Sequence, residues 1–375
     1  MVNCNVKKIF ITFMVVCPPV LFCVVYVFNS AMFRPNIEPT LSIYSVVEEF
    51  TKLATQVNVT DLELELNFTS CTKGFLKKAI KKYVYSFDPN IPLFLTSNFK
   101  EWTDYARMKT SSEPFGFKNH EDVVERVLKL LPEANKTTPI GLTDHGDCKR
   151  CILVASSGVS TGKGLGKLID KYDVVIRMNN APVKKYEKDV GSKTTFRLVY
   201  PESAFRTSSS YDKNSVLVFV PYKLDDYLWL EAVIKGDDPI KKGLKFWKKS
   251  ATSLNKPADK IQILNPYLGH EVANYHMKTK KRPSTGAMAV VMALHYCDHL
   301  HITGYGYHPN VTIHYYEKSK GIPRDGAHSW FNENRYIMKL LYCGVIEKDL
   351  TGLYEAEVRI RGSELFNCSE PLSTE

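Results

Sequence analysis

Two stretches near the C-terminus, His314-Tyr-Tyr-Glu317 and His328-Ser-Trp-Phe-Asn-Glu333, hold residue types suited to acid–base chemistry. An imidazole with an unperturbed pKa near 6.5 can take or give a proton close to neutrality. The chain has ten histidines, and residue type alone does not separate these two from satisfied surface or core residues. Further upstream, Ser156-Ser157-Gly158-Val159-Ser160-Thr161-Gly162-Lys163-Gly164 is a small-residue turn whose backbone N–H groups could cradle one phosphate. It is not a P-loop, because Gly158 and Gly162 enclose three residues and Gly164 follows the lysine. It also fails as a dinucleotide fingerprint, since Gly162, Gly164 and Gly166 are spaced GxGxG. Pro283-Ser284-Thr285-Gly286 leads straight into the uncharged run AMAVVMALHYC. Ser284 or Thr285 would cap that helix, and the basic run Lys278–Arg282 just before it favours an anion over a plain buried cap. Asp-x-Asp occurs nowhere, so no acidic pair is offered to a divalent cation and no metal is expected. Cys148-Lys-Arg-Cys151 has zinc or redox spacing but no partner CxxC or CxxH, and reads better as two separate disulfide halves.

These residues need a scaffold, and the pattern between them supplies one. CILVA (151–155), VVIRM (174–178), TTFRLVY (194–200), VLVFV (216–220), IQIL (261–264) and HLHITGYG (299–306) read as buried strands. LGKLIDKY, Trp229 to Ile234 and AMAVVMALHYC read as the helices between them. That alternation predicts an α/β domain with a largely parallel sheet flanked by helices, whose ligands bind at the carboxyl ends of the strands. Ahead of it, KGFLKKAIKKYVYSF predicts a helix with a solvated lysine face, Val123 to Leu131 another ending before Pro132, and 133–147 a polar loop.

With 44% hydrophobic residues the chain is not disordered, and nine cysteines are too few for a disulfide mini-scaffold. Ile9 to Phe28 is twenty uncharged residues behind Lys7 and Lys8, which predicts a membrane anchor with a cytoplasmic N-terminus at 1–8 and the rest across the membrane. A cleaved signal peptide is the alternative, but its apolar region would be shorter. Acceptor sequons at Asn58, Asn67, Asn135, Asn310 and Asn367 all follow that segment. Residues 29–70 carry two basic and six acidic side chains without a strong core pattern, as a stem would. With +2 ahead of that stretch and +10 in all, residues 71–375 carry +12, which suits an anionic ligand. A lumenal body argues against nucleic acid as that ligand.

Four of these stretches, in this order, resemble the sialylmotifs of the animal sialyltransferases. Cys148-Lys-Arg-Cys151 through Tyr200-Pro-Glu-Ser203 is similar to the long motif, and Arg282-Pro-Ser-Thr-Gly286 through Cys297-Asp298 to Gly304-Tyr-Gly306 to the short one. His314-Tyr-Tyr-Glu317 resembles the third motif, and His328 with Glu333 the very short one. The His-Tyr-Tyr-Glu, Tyr-Pro-Glu-Ser and Ile-Leu-Asn-Pro details resemble the β-galactoside α2,3 branch.

The resemblance implies a GT-A-like catalytic domain at 71–375 in a single-pass type II protein of the Golgi membrane. It implies transfer of sialic acid from CMP-sialic acid to the 3-hydroxyl of a terminal galactose on glycoproteins or glycolipids, with inversion and without a metal. CMP leaves with one phosphate, which a histidine, helix-terminal N–H groups and lysines can stabilise. Carried over by residue, Ser156, Ser157, Gly158 and Asn179 match donor-binding positions, and Ser284, Thr285, Gly286 and Gly306 match positions around cytidine, ribose and phosphate. His314 corresponds to the histidine that contacts the phosphate as electrophile or acid, His328 to the general base, and Glu333 is expected to orient its helix. Disulfides Cys151–Cys297 and Cys71–Cys148 are implied likewise, while Cys343 and Cys368 have no assigned partner. Ala155-Ser156 stands where most of the branch has Gly-Asn. Ser156, Pro114-Phe-Gly-Phe and Leu130-Leu-Pro-Glu look like the lactosylceramide-specific relative, whereas Arg177-Met-Asn-Asn180 and His314-Tyr-Tyr-Glu317 look like the N-acetyllactosamine-specific members. Lactosamine ends are the favoured acceptor and lactosylceramide the alternative. A catalytically silent glycan-binding relative would lack the base, whereas both histidines are present.

Overall fold

Strand residues alternate between two apolar layers, as the period of two requires. In β1 (Arg150–Val154), Cys151 and Leu153 join one buried cluster while Ile152 and Val154 join the other. In β2 (Val174–Met178), Val174, Ile176 and Met178 face the first layer and Val175 the second. The computed structural model describes residues 58–66, 70–132, 148–206, 212, 214–254, 256–323 and 326–369, which fall in one compact unit, 53–375. The tail at 1–8, the span at 9–28, the loop at 133–147, and Asn67 and Asn135 lie outside these residues. Among the described residues no helix is long and apolar enough to cross a membrane.

The remaining strands are β3 (Phe196–Val199), β4 (Val216–Phe219), β5 (Ile261–Ile263), β6 (His299–Thr303) and β7 (Lys348–Asp349). They form one seven-stranded sheet in the order β5-β4-β3-β2-β1-β6-β7, with every pairing parallel. The expected α/β architecture is therefore observed. Strand order reverses between β1 and β6, so the loops leaving these two strands diverge and open a crevice at their carboxyl ends. The two-residue β7 at the edge is too short to show a pattern in the sequence.

The helices used below are α1 (Val59–Glu65), α2 (Phe75–Lys81), α3 (Tyr105–Thr110), α4 (Glu121–Leu128), α5 (Gly166–Ile169), α6 (Glu187–Val190), α7 (Leu224–Lys235), α8 (Pro266–Glu271), α9 (Thr285–Tyr296), α10 (Trp330–Tyr342) and α11 (Leu353–Leu365). Helix α9 is apolar all round because it packs on β1, β2 and β3 with α2 and α8 beyond it, leaving it no solvent face. Helix α2 buries Leu76 and Ile80 and exposes Lys78 and Lys81, the solvated lysine face expected. Helix α4 spans Glu121–Leu128, ending short of the expected Leu131. Helix α1 lies in the stretch expected as stem. Its Val59 and Leu62, with Leu66 beyond, pack on the second apolar layer, and Glu63 and Glu65 pair with Lys171 and Lys348. The acidic count of that stretch hid a one-sided apolar stripe.

Three disulfides staple this frame among the described residues. Cys71–Cys148 and Cys151–Cys297 form as expected, the second tying β1 to the residue that ends α9. Cys343, just past α10, pairs with Cys368, just past α11, closing the helical hairpin at the C-terminus. Each bridge contributes about 2–4 kcal/mol.

Candidate active site

The loop after β1 is held against β6 and against the third motif by its backbone. Ala155 N–H donates to Thr303 O at 2.9 Å, Ser157 N–H to Gly304 O at 3.0 Å and Gly158 N–H to Thr312 O at 3.1 Å. Tyr315 N–H returns a bond to Ser156 O at 2.9 Å. A Cβ on Gly158 would lie 2.1 Å from Thr312 Oγ1, so only glycine permits this approach. These bonds bring Ser156, Ser157 and Gly158 beside the segment that carries His314. Asn179 stands at the exit of β2 with φ +57°, and its Oδ1 has no hydrogen-bond partner among the described residues. Its carbonyl accepts from Arg197 Nη1 at 3.0 Å, a buried strand arginine that the sequence reading passed over.

Ser284, not Thr285, is the cap of α9. Its Oγ accepts from Ala287 N–H at 3.2 Å and donates to Glu333 Oε2 at 2.5 Å, while its own N–H donates to Glu333 Oε1 at 2.8 Å. The N–H groups of Thr285 and Gly286 belong to the first turn and have no intrahelical acceptor. Gly286 O accepts from Tyr305 OH at 3.2 Å, and Gly306, with φ +81°, lies against Leu353 and Tyr354 of α11. Glu333 was expected to orient its helix. Its buried carboxylate clamps α10 to the start of α9.

The two histidines have different hydrogen-bond partners. His328 Nδ1 lies 2.8 Å from Arg282 O. A carbonyl can only accept, so Nδ1 carries the proton and, in the neutral ring, Nε2 keeps its lone pair. Burial lowers the affinity of this imidazole for a second proton, against the opposing effect of the hydrogen bond to Arg282 O, and the nearby Arg282 charge acts with burial. Tyr222 packs edge-on to its ring at 6.4 Å and Trp330 lies 5.6 Å away. His314 Nδ1 lies 2.8 Å from Glu317 Oε2, and its ring stacks on Tyr316 at 5.2 Å. Glu317 thereby fixes the orientation of the His314 ring. His328 stands two residues ahead of α10, which is followed by α11. Among the described residues the grouping tight enough for a metal is Cys71, Cys148 and His299, and both its sulfurs are in the disulfide.

Residues 94–345 match the model of glycosyltransferase family 29, the sialyltransferases. The chain belongs to this family. It is 35% identical over 298 residues to the human CMP-N-acetylneuraminate-beta-1,4-galactoside alpha-2,3-sialyltransferase, covering 76% of this chain and 78% of the relative. It is 36% identical over 303 residues to the Mus musculus CMP-N-acetylneuraminate-beta-galactosamide-alpha-2,3-sialyltransferase 4, covering 75% and 86%. The crystal structure of a mammalian sialyltransferase superposes with a TM-score of 0.57 at 24% identity, covering 75% of this chain and 97% of that one. A second such structure, in complex with Gal-beta-1-3GalNAc-ortho-nitrophenol, gives 0.56 at the same identity, which shows a shared fold. As a sialyltransferase, the chain is a glycosyltransferase.

Tyr222 and Asp226, like Arg197, were not singled out by the sequence reading, and Glu202 entered it only as part of Tyr200-Pro-Glu-Ser203. Tyr222 follows β4 at the carboxyl edge of the sheet, and that position was the available signal.

Proposed function

We propose that the protein transfers sialic acid from CMP-sialic acid to the 3-hydroxyl of a terminal galactose, with inversion and without a metal, N-acetyllactosamine ends being the favoured acceptors. The observation that carries the chemistry is the contrast between the histidines. His328 donates through Nδ1 to Arg282 O, so the lone pair on Nε2 is available to take the proton of the galactose hydroxyl as the oxygen attacks the anomeric carbon. His314, held by Glu317, is suited to donate a charge-assisted hydrogen bond to the phosphate of departing CMP. The first-turn N–H groups of Thr285 and Gly286 and the backbone around Ser157 and Gly158 offer further donors to that anion. Asn179, whose Oδ1 has no hydrogen-bond partner among the described residues, is assigned to the donor as well. The two kinds of relative are named for alpha-2,3 sialyl transfer, one with a beta-1,4-galactoside and the other with a beta-galactosamide, which supports the linkage. Lactosylceramide is the second acceptor reading, favoured by Ser156.

The apolar segment at 9–28 behind Lys7 and Lys8 supports placement in the Golgi membrane, type II, with the stretch ahead of α1 leading to a lumenal domain. Asn58, Asn310 and Asn367 are exposed and open to glycosylation. Radiolabelled transfer from CMP-sialic acid to a panel of type 1 and type 2 lactosamine, mucin core and lactosylceramide, run with and without excess EDTA, tests the reading. Transfer to lactosamine that survives EDTA is expected. Loss in EDTA with recovery on adding manganese overturns the metal-free mechanism, and transfer confined to lactosylceramide overturns the acceptor.

A further inference from the structure

Beside His328 lies a group of ionisable side chains that proton transfer itself does not use. Glu202, in the turn after β3, and Asp226, in the first turn of α7, have side chains only 1% and 0% exposed. One cation serves both: Lys223 Nζ is 2.7 Å from Glu202 Oε1 and 3.4 Å from Asp226 Oδ1. With both carboxyls ionised, the cluster would hold a net negative charge out of water. Burial pushes the Asp226 carboxyl up to about 7, against the opposing pull of Lys223 and the Tyr222 N–H.

What this cluster holds is Tyr222. The Tyr222 N–H donates to Asp226 Oδ2 at 2.7 Å. Its phenol donates to Pro283 O at 3.1 Å, the carbonyl immediately ahead of the Ser284 cap. Its ring meets the His328 imidazole edge-on. A single side chain therefore touches the turn that starts α9 and the ring of the proposed base, and its backbone is fixed by one buried carboxyl.

We infer that Asp226 is a positioning residue that acts through Tyr222 to hold the Pro283–Ser284 turn and His328 in register, with Lys223 shared between it and Glu202. The inference rests on His328 as base. The groups facing Asp226 are Glu202 and Tyr200 from the turn after β3, Lys223 and Tyr222 from the exit of β4, and Tyr227 further along α7. Tyr222 is faced in turn by Thr285 and Glu333. Below about pH 7 the protonated Asp226 leaves the Glu202–Lys223 pair neutral; above it the cluster gains a negative charge.

An asparagine at 226 keeps an acceptor for the Tyr222 N–H and lacks the titration, whereas alanine removes both. Asp226→Asn should turn over within about twofold of wild type at pH 6 and diverge from it above pH 7. Asp226→Ala should lose about tenfold at both. Tyr222→Phe, which removes the hydroxyl's bonds to Pro283 O and to the Thr285 side chain, should weaken CMP binding about threefold to tenfold by calorimetry. Equal damage from asparagine and alanine at pH 6, or profiles of wild type and Asp226→Asn that stay parallel to pH 8, overturns the inference; if the alanine variant does not fold, the other two decide it. Should His328→Ala retain turnover, the base reading fails. CMP affinity of Tyr222→Phe then judges the Tyr222–Pro283 link separately.

Discussion

Glu333 accepts both the N–H and the Oγ–H of Ser284, at 2.8 and 2.5 Å, with its carboxylate buried. The two residues are 49 apart in sequence, one capping α9 and the other in the first turn of α10. A carboxylate at a helix N-terminus is favoured by the free N–H groups there, and this one also fixes the Ser284 rotamer that caps Ala287. Charge-assisted bonds of this kind are worth about 1.5–3 kcal/mol. Glu333→Ala should lower thermal stability and weaken CMP binding by roughly tenfold or more, while Glu333→Gln recovers part of both. CMP affinity unchanged in the alanine variant would remove the link between this clamp and the donor site.

The histidines should separate kinetically. His328→Ala should lose about 10²-fold or more in turnover with CMP affinity near wild type, because a general base acts in the transition state. His314→Ala should weaken CMP binding as well as slow transfer, since its proposed partner is the phosphate. Calorimetric titration beside initial rates decides the assignment, and the opposite pattern reverses it.

The acid limb of the pH–rate profile should lie below pH 6.5. A base works as the neutral ring, and burial lowers the pKa of His328, so turnover is lost only as pH falls through that lowered value. The nearby Arg282 charge pushes the same way. Arg282→Gln should therefore move the limb toward higher pH, and a limb that stays fixed or moves down in kcat/KM profiles contradicts this.

Gly158→Ala should disturb the site through packing alone. The new methyl would meet Thr312 Oγ1 and Thr312 O at 2.1 and 2.4 Å, so the backbone that leads to His314 must move. Overpacking of this kind costs about 1–3 kcal/mol. Lower thermal stability together with weaker CMP binding is expected; a variant equal to wild type in both would show that the loops can separate without consequence.

Non-reducing peptide mapping should recover Cys71–Cys148, Cys151–Cys297 and Cys343–Cys368 as the bridges of the folded body. Replacing Cys151 and Cys297 together by alanine should destabilise the protein by about 2–4 kcal/mol, because the bridge closes a long loop between β1 and the end of α9. Alkylation of Cys151 in folded wild-type protein would contradict the pairing.

The sequence alone was sufficient for the parallel α/β frame, since β-branched runs such as Val174–Met178 and the uncharged run at 287–297 carry their burial in their composition. The small-residue turn at Ser156–Gly158, the cap before α9 and the four ordered motifs were legible for the same local reason, being fixed by spacing along the chain. Which residues meet was settled in three dimensions. Nothing near Glu333 in sequence points to Ser284, nothing near Cys343 marks Cys368 as its partner, and the alternative caps Ser284 and Thr285 differ only in which hydroxyl faces Ala287 N–H. The tautomer of His328 likewise depends on the carbonyl of Arg282, 46 residues away. Local patterns record propensity and burial, whereas proton positions and charge balance depend on neighbours that only the folded chain brings together. Asp226 is the sharpest case: a carboxylate in the first turn of a helix is ordinary in sequence, and it is burial, aided by Glu202 and opposed by Lys223, that raises its pKa, and the bond from the Tyr222 N–H that gives it a role.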